Sequence, residues 1–245
     1  MNQNNLKLSR QEFKYFVSSE SLARLRSSLS PLMCLDENAD PITKKYTITS
    51  LYFDTPFEED FEEKVDGIKS REKFRIRTYN HDYGLIKFES KRRVETVIRK
   101  VSAPLDTEVA RKVCNSDLSS LVNSGNDFLN LSYAKLKSGG YRPNIIVEYD
   151  REAYYLPYGN IRITFDLNLR TYNTSTDFFS LKRPTLPVFQ DDLQVLEVKH
   201  SIPLPSHLRF ILSKINASRS AISKFILAQK YNQKSSYRDR IEVPF

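Results

Sequence analysis

Charged and apolar residues alternate with period two in one segment after another, which restricts this chain to strands whose two faces meet different surroundings. In Arg75-Ile76-Arg77-Thr78-Tyr79 both arginines fall on one face and Ile76 on the other. In Ile86-Lys87-Phe88-Glu89-Ser90-Lys91-Arg92-Arg93, the residues Lys87, Glu89, Lys91 and Arg93 share a face and Phe88 lies opposite. A single segment of this kind is explained by an antiparallel sheet with its charged face in water. Repetition argues for more. Glu12 with Lys14, Tyr149 with Arg151, Arg162 with Thr164 and Asp166, and Glu197 with Lys199 each share a face in the same way. The alternate apolar residues need burial, and helices laid over the outside would supply it, turning the charged residues inward.

The pattern predicts eight strands, over 12–17, 46–53, 71–79, 85–93, 96–101, 144–154, 161–169 and 193–200, mostly antiparallel by their short connections. Asn80 to Gly84 and Pro157 to Asn160 have hairpin-turn chemistry. Ser18-Ser19 caps a helix carrying Leu22, Leu25 and Leu29, stopped near Pro31. Thr55-Pro56 opens an acidic helix, with proline at its first position, that runs past Glu63 to Gly67 as a solvated face. Residues 107–137 read as helices and loops in a packing role, with Val109, Val113, Leu118, Leu121, Leu129, Leu131 and Leu136 as apolar positions. A polar excursion over 171–191 has no clear period. Two amphipathic helices follow within 205–231, the second carrying Ile222, Phe225, Ile226 and Leu227. The expected class is α+β: an eight-stranded antiparallel barrel, wide enough inside for side chains or one small ligand, with inserted and C-terminal helices outside. No repeat or composition shift divides the chain, so one domain is expected over 1–245, with its core at 9–230 and polar termini.

Charge narrows the partners. Thirty-eight Lys and Arg against 30 Asp and Glu give a formal charge of +8 and a pI near 9.3, favouring a polyanion. Nucleic acid is disfavoured, because it wants basic residues on an outer face with exposed aromatics, whereas these basic positions converge. Cys34 and Cys114 lack metal-ligand spacing and fit a reducing compartment. No signal-peptide core opens the chain, and no window approaches the roughly 18 apolar residues of a membrane span, so the expected address is cytoplasmic. A membrane-protein partner stays compatible with that, and oligomeric state is open. The three histidines, His81, His200 and His207, have no evident partner, and the 14 tyrosines read mostly as core and rim.

An interior lined with guanidinium and ammonium groups cannot stay dry and empty, because burying unpaired charge costs several kcal/mol per ion. It calls for water, counter-carboxylates and an anion of high charge density. Arginine matches phosphate bidentately and lysine supplies a mobile point charge, while Glu12, Glu89 and Glu197 could hold a divalent cation bridging phosphate oxygens. A linear polyphosphate or nucleoside triphosphate fits.

The residues also resemble a known family, the VTC domain, which is the polyphosphate polymerase domain of the vacuolar transporter chaperone complex within the CYTH-like triphosphate tunnel metalloenzymes. The resemblance rests on Glu12-Phe13-Lys14-Tyr15, Ser50-Leu51-Tyr52-Phe53-Asp54, Arg75-Ile76-Arg77-Thr78-Tyr79, Phe88-Glu89-Ser90-Lys91, the run from Val147 to Tyr154, Arg162-Ile163-Thr164-Phe165-Asp166, Leu196-Glu197-Val198-Lys199 and Ser223-Lys224-Phe225, in that order. It implies a tunnel barrel in which Lys14, Arg75, Arg77, Lys91, Arg151, Arg162 and Lys224 contact phosphates and act in catalysis, with Tyr149 and Ser223 as supporting donors. Lys100, with Arg99 as its competitor, and Lys199 would add to the phosphate site, and Glu197 would hold Mn²⁺ or Mg²⁺. The implied partners are ATP and polyphosphate, and the implied reaction is transfer of ATP's terminal phosphoryl group to a growing chain. A triphosphatase, or a non-catalytic binding module, is the alternative. Related triphosphatases open with Glu-x-Glu-x-Lys, and Arg10 takes the first glutamate's place here, which favours the polymerase. Arg93 stands where some VTC domains have histidine, and Ala221 where a basic residue is expected. No phosphate-sensor domain is expected before the barrel and no membrane segment after it.

Overall fold

The computed structural model describes residues 11–236 apart from 96, 123–124, 173–176, 183–185, 190–191, 216 and 218. The leader with Arg10, Thr96, parts of the 171–191 excursion and the last residues of the tail lie outside the described residues. The chain divides into two compact units, Met1–Tyr46 with Asp150–Asn168 and Phe189–Ile222, and Thr47–Tyr149 with Leu169–Val188 and Ser223–Phe245.

In the first unit β1 (Gln11–Ser18) pairs antiparallel with β10 (Leu193–His200), and β10 with β8 (Ile161–Tyr172). The two-residue β2 (Cys34–Leu35) pairs with the end of β7 (Arg142–Leu156). Helix α1 (Ser19–Leu29) starts where the Ser18 side chain accepts the N–H of Ser21, satisfying a donor that the helix cannot use. Leu22, Leu25 and Leu29 recur on one helical face, and all three are buried with Val17, Ile163, Phe165, Leu196, Val198 and Leu208 of α5 (Ser206–Ser213). Each such side chain stabilises the unit by about 1.5–3 kcal/mol. The connection from β7 to β8 needs a glycine. Gly159 has φ +74°, and a Cβ there would stand 2.5 Å from the Ile202 side chain.

In the second unit β3 (Tyr46–Asp54), β4 (Ser70–Tyr79), β5 (Asp82–Val94) and β6 (Val97–Leu105) pair antiparallel in sequence order. The short β9 (Leu186–Pro187) pairs with the end of β8. Phe74 and Ile76 of β4, Phe88 of β5 and Leu51 of β3 share one face of these strands. They are buried with Ala110 and Val113 of α3 (Thr107–Cys114) and with Leu129 and Leu136 of α4 (Asp127–Ser138). The opposite parity carries Arg75, Arg77 and Glu89. The eight long strands follow one hydrogen-bonded order, β1-β10-β8-β7-β3-β4-β5-β6, in which β7 and β8 run through both units.

Five local expectations are corrected. Helix α2 is Glu59–Val65 and does not begin at Pro56. Glu58 stands in the left-handed region, and the Asp54 carboxylate accepts the N–H groups of Thr55 (2.8 Å), Asp60 (2.9 Å) and Phe61 (3.2 Å), so a side-chain cap sets the start. That helix is not simply a solvated face, because Asp60 and Phe61 are buried. The β4–β5 turn is shorter than expected. Tyr79 pairs with Asp82 across Asn80 and His81, both at positive φ, and the Asn80 side chain accepts the N–H of Thr47. Leu131 is 58% exposed rather than buried, and Ile222 precedes the last helix, α6 (Lys224–Ser236).

Candidate functional site

On the charged face of the second unit, register places Tyr52, Arg75 and Glu89 side by side on β3, β4 and β5, and Ser50, Arg77 and Lys87 in the neighbouring row. Glu89 is the centre of this face. Arg75 Nε lies 2.6 Å from its Oε2, Arg77 Nη1 3.8 Å from Oε2, and Lys100 Nζ 2.5 Å from Oε1. Burial by itself would raise the Glu89 pKa, but the charges of Arg75, Arg77 and Lys100 outweigh it and hold the carboxyl at about 2. Arg75 also donates from Nη1 to the Tyr52 hydroxyl at 3.0 Å, and Arg77 from Nε to Ser50 Oγ at 3.1 Å. Burial opposes the Arg75 charge, but Tyr52, Glu89 and Tyr149 prevail and raise its pKa. Lys73, Lys91 and Lys100 form a third row, so three ammonium groups stand on adjacent strands.

The start of α6 belongs to the same face. Lys224 Nζ lies 4.7 Å from the centroid of the Tyr149 ring, and Phe225 packs against Tyr52 at 5.1 Å while the Lys73 ammonium stands 3.9 Å over the Phe225 ring. The helix is held by the Glu58 carboxylate, which accepts from the side-chain amides of Gln229 and Gln233 at 2.5 and 2.6 Å. Ser223 is half-buried just before the helix.

In the first unit, Lys14, Glu197 and Thr164 are opposite one another on β1, β10 and β8, with Glu12, Lys199 and Arg162 in the next row of the same face. Lys14 Nζ is 3.0 Å from Glu12 and 3.7 Å from Glu197, and donates to the Ile222 carbonyl at 3.2 Å. Lys199 closes the quartet, in direct contact with Glu197 and 3.9 Å from Glu12. Burial disfavours the Lys14 charge, yet Glu197 and Glu12 more than offset it, and its pKa is raised. Arg151 grips Asp166 with two parallel bonds of 2.6 and 2.8 Å. Arg162 donates to Asp36 at 2.6 Å and to the Tyr46 hydroxyl at 3.0 Å.

The profile of the VTC domain family matches residues 9–231, nearly the whole chain. This chain belongs to the VTC domain family. No curated protein matches it. Among solved structures, the putative adenylyl cyclase HpAC1 from Hippeastrum, for which a dominant triphosphatase activity is described, is 16% identical over 91% of this chain and 96% of its own, with a TM-score of 0.55. The PH1819 protein from Pyrococcus horikoshii OT3 is 14% identical over 91% of this chain and 99% of its own, with a TM-score of 0.46. A putative adenylate cyclase from Bacillus halodurans is 12% identical over 96% of this chain and 95% of its own, with a TM-score of 0.47. The likeness to HpAC1 shows that the VTC domain here has the triphosphate tunnel fold.

Of the residues expected to act in this VTC domain, Arg75, Arg77, Lys91, Lys100, Tyr149, Ser223, Lys224 and Glu89 fall in the second unit, and Lys14, Glu12, Arg151, Arg162, Glu197 and Lys199 in the first. Glu12 and Glu197 are brought together around two lysines, whereas Glu89 is engaged with three cations of its own unit. No group of three or more His, Cys, Asp or Glu side chains placed for a metal ion occurs among the described residues. The histidine reading needs two corrections: His81 Nε2 lies 3.8 Å from the Glu148 carboxylate, which also accepts from Thr49, Arg170 and Tyr172, and His200 Nδ1 lies 2.6 Å from the Ile202 carbonyl oxygen. Sequence reasoning missed Tyr52, Lys73 and Asp36. Lys73 was within reach, having the parity of Arg75 and Arg77. Tyr52 shares the parity of Ser50, but its place beside Arg75 depends on the β3–β4 register. Asp36 follows a two-residue strand that leaves no periodic signal.

Proposed function

We propose that this VTC domain is a metal-dependent polyphosphate polymerase that transfers the terminal phosphoryl group of ATP to the end of a polyphosphate chain. The observation that carries the reading is the cationic face of the second unit, with Arg75, Arg77 and Lys100 converging on one carboxylate and lysines in the adjacent row. Phosphoryl transfer asks mainly for positioning and charge stabilisation, which such a face supplies without a covalent nucleophile. In this unit Arg75, Arg77, Lys91, Lys100 and Lys224 bind and orient phosphate oxygens, with Tyr149 and Ser223 as further donors. In the first unit Lys14, Arg151, Arg162 and Lys199 do the same. A terminal oxygen of the chain attacks the γ-phosphorus, the bond from that phosphorus to the β–γ bridging oxygen breaks, and ADP leaves.

Glu12 and Glu197 fit a divalent cation as a partial set, because Mg²⁺ and Mn²⁺ accept one or two carboxylates and complete their shell with phosphate oxygens and water. Such an ion supplies charge neutralisation on the reacting phosphates, and Lys14 and Lys199 hold the two carboxylates meanwhile. Glu89, already ringed by cations, orients them.

A triphosphatase is the second reading, favoured by the activity described for HpAC1 on the same fold. The deciding experiment incubates the purified protein with ATP and Mn²⁺, follows ADP, and resolves products on a polyphosphate-staining gel. A ladder of chains supports the polymerase. ADP and free phosphate without chains replace it with the hydrolase, and no turnover despite polyphosphate binding replaces both with a binding module.

A further inference from the structure

The Tyr52 side chain occupies a position that the residues expected to contact phosphate do not account for. Register sets it beside Arg75, with Glu89 on the next strand. Its hydroxyl accepts from Arg75 Nη1 at 3.0 Å, and its ring packs on Phe225, the residue that follows Lys224. An oxygen that accepts from the guanidinium keeps one proton of its own to donate, and it faces the row where phosphate oxygens are expected.

We propose that the Tyr52 hydroxyl is an anion-contacting group of the phosphate site, donating to a phosphate oxygen when protonated and standing as a rival anion on Arg75 when deprotonated. The proposal rests on the phosphate-binding reading of this face and adds that binding is linked to a proton. The electrostatics agree. Burial opposes ionisation of the phenol, but Arg75 and Arg77, the hydrogen bond from Arg75 and the charge of Lys224 bring it down to about 8. The groups facing it are Lys73, Arg75 and Arg77 from β4, Lys224 from α6, and, through Arg75, Glu89 from β5 and Tyr149 from β7. Below about pH 8 the phenol is a donor and helps an incoming phosphate. Above it the phenolate repels one, and affinity falls by up to about tenfold per pH unit until the phosphate-bound phenol also ionises.

The test titrates the wild-type chain and a Tyr52→Phe variant with inorganic tripolyphosphate at several pH values between about 6.5 and 9.5. The near-ultraviolet absorbance of tyrosinate is followed in parallel, with and without the anion. Phenylalanine keeps the ring contact with Phe225 and removes only the hydroxyl. The expected result is a wild-type affinity that drops about tenfold more than the variant's between pH 7 and pH 9. One tyrosine should also titrate near pH 8, be absent in the variant, and move upward when tripolyphosphate is added. Lys73, whose ammonium burial brings to about 8 and whose charge Tyr52 helps to hold, titrates in both proteins without a tyrosinate signal, so it is the absorbance titration that assigns the difference to Tyr52. Parallel pH profiles, or no tyrosine titrating below about pH 9, overturn the role of Tyr52 while leaving the phosphate site standing. Absence of tripolyphosphate binding to the wild type at every pH overturns both.

Discussion

Replacing Glu89 with glutamine tests the charge design of the second unit directly. The carboxyl is buried and its pKa falls from 4.5 to about 2, because Arg75, Arg77 and Lys100 outweigh the effect of burial. A drop of this size corresponds to about 3 kcal/mol of folding stability. Since the folded pKa is depressed, that contribution is fully present above pH 4.5 and is lost as pH falls from there towards 2. Glu89→Gln removes it at neutral pH and leaves three cations without their carboxylate, within the roughly 3–5 kcal/mol measured when one partner of a buried ion pair is deleted. The melting temperature should fall by roughly 6–12 °C for a chain of this size. The same change clears the anion that competes with phosphate, so tripolyphosphate should raise the melting temperature of the variant by more than that of the wild type. The assay is thermal unfolding at neutral pH, with and without tripolyphosphate, repeated down to about pH 3, where the wild type should lose more stability than the variant. A variant as stable as the wild type without ligand, or one that tripolyphosphate stabilises less, would refute the reasoning.

Glu197→Gln should abolish turnover of ATP while leaving tripolyphosphate affinity within a few-fold, because it removes a proposed metal ligand and keeps the lysines; unchanged turnover sinks the metal role. Asp54→Ala deprives the N–H groups of Thr55 and Asp60 of their acceptor and leaves the Phe61 N–H only its bond to the Glu58 carbonyl. Each of those two costs about 1–3 kcal/mol when left unmade, so a loss of at least about 2 kcal/mol is expected in urea unfolding, and a loss below about 1 would mean that another group caps the helix. Burial pushes the Cys114 thiol up to about 12, whereas Cys34 is exposed. A thiol-specific reagent at neutral pH should therefore modify one cysteine per native chain, and none in Cys34→Ser; two reacting thiols would contradict the packing around Cys114.

What was legible in the sequence was whatever depends on local geometry. Parity separated Arg75 and Arg77 from Ile76, and Glu89 from Phe88, because side chains on a strand alternate whatever the strand pairs with. The apolar face of α1 and its Ser18 cap followed equally from local rules. The failures needed a partner that sequence does not place. Pro56 satisfies the preference for proline at a helix start, but the Asp54 carboxylate reaches past it to Asp60 and Phe61 and moves the start to Glu59. The five residues from Asn80 to Gly84 all have turn character, and the pairing of Tyr79 with Asp82 decides that only two of them form the turn. Tyr52 is the most consequential case. Its face was readable, whereas its neighbour Arg75 is given only by the β3–β4 register, and without that neighbour a tyrosine in a strand is an ordinary half-buried ring.

The register also explains why the charged faces can exist before any ligand arrives. An unpaired guanidinium or ammonium in these positions would cost several kcal/mol, so each unit carries its own carboxylates: Glu89 for Arg75, Arg77 and Lys100, Asp166 for Arg151, Asp36 for Arg162, and Glu12 with Glu197 for Lys14 and Lys199. On the proposed reading, binding an anion is then an exchange in which the cations loosen one partner to take another. A singly or doubly charged phosphate gains little from such an exchange, because it replaces one carboxylate contact with another of similar strength. A chain of phosphates meets several cations at once without a separate entropic cost for each, and only it recovers more than the internal pairs supply. Inorganic phosphate at the concentration that stabilises with tripolyphosphate should accordingly leave the melting temperature unmoved, and equal stabilisation by both would show that the internal carboxylates exert no selection.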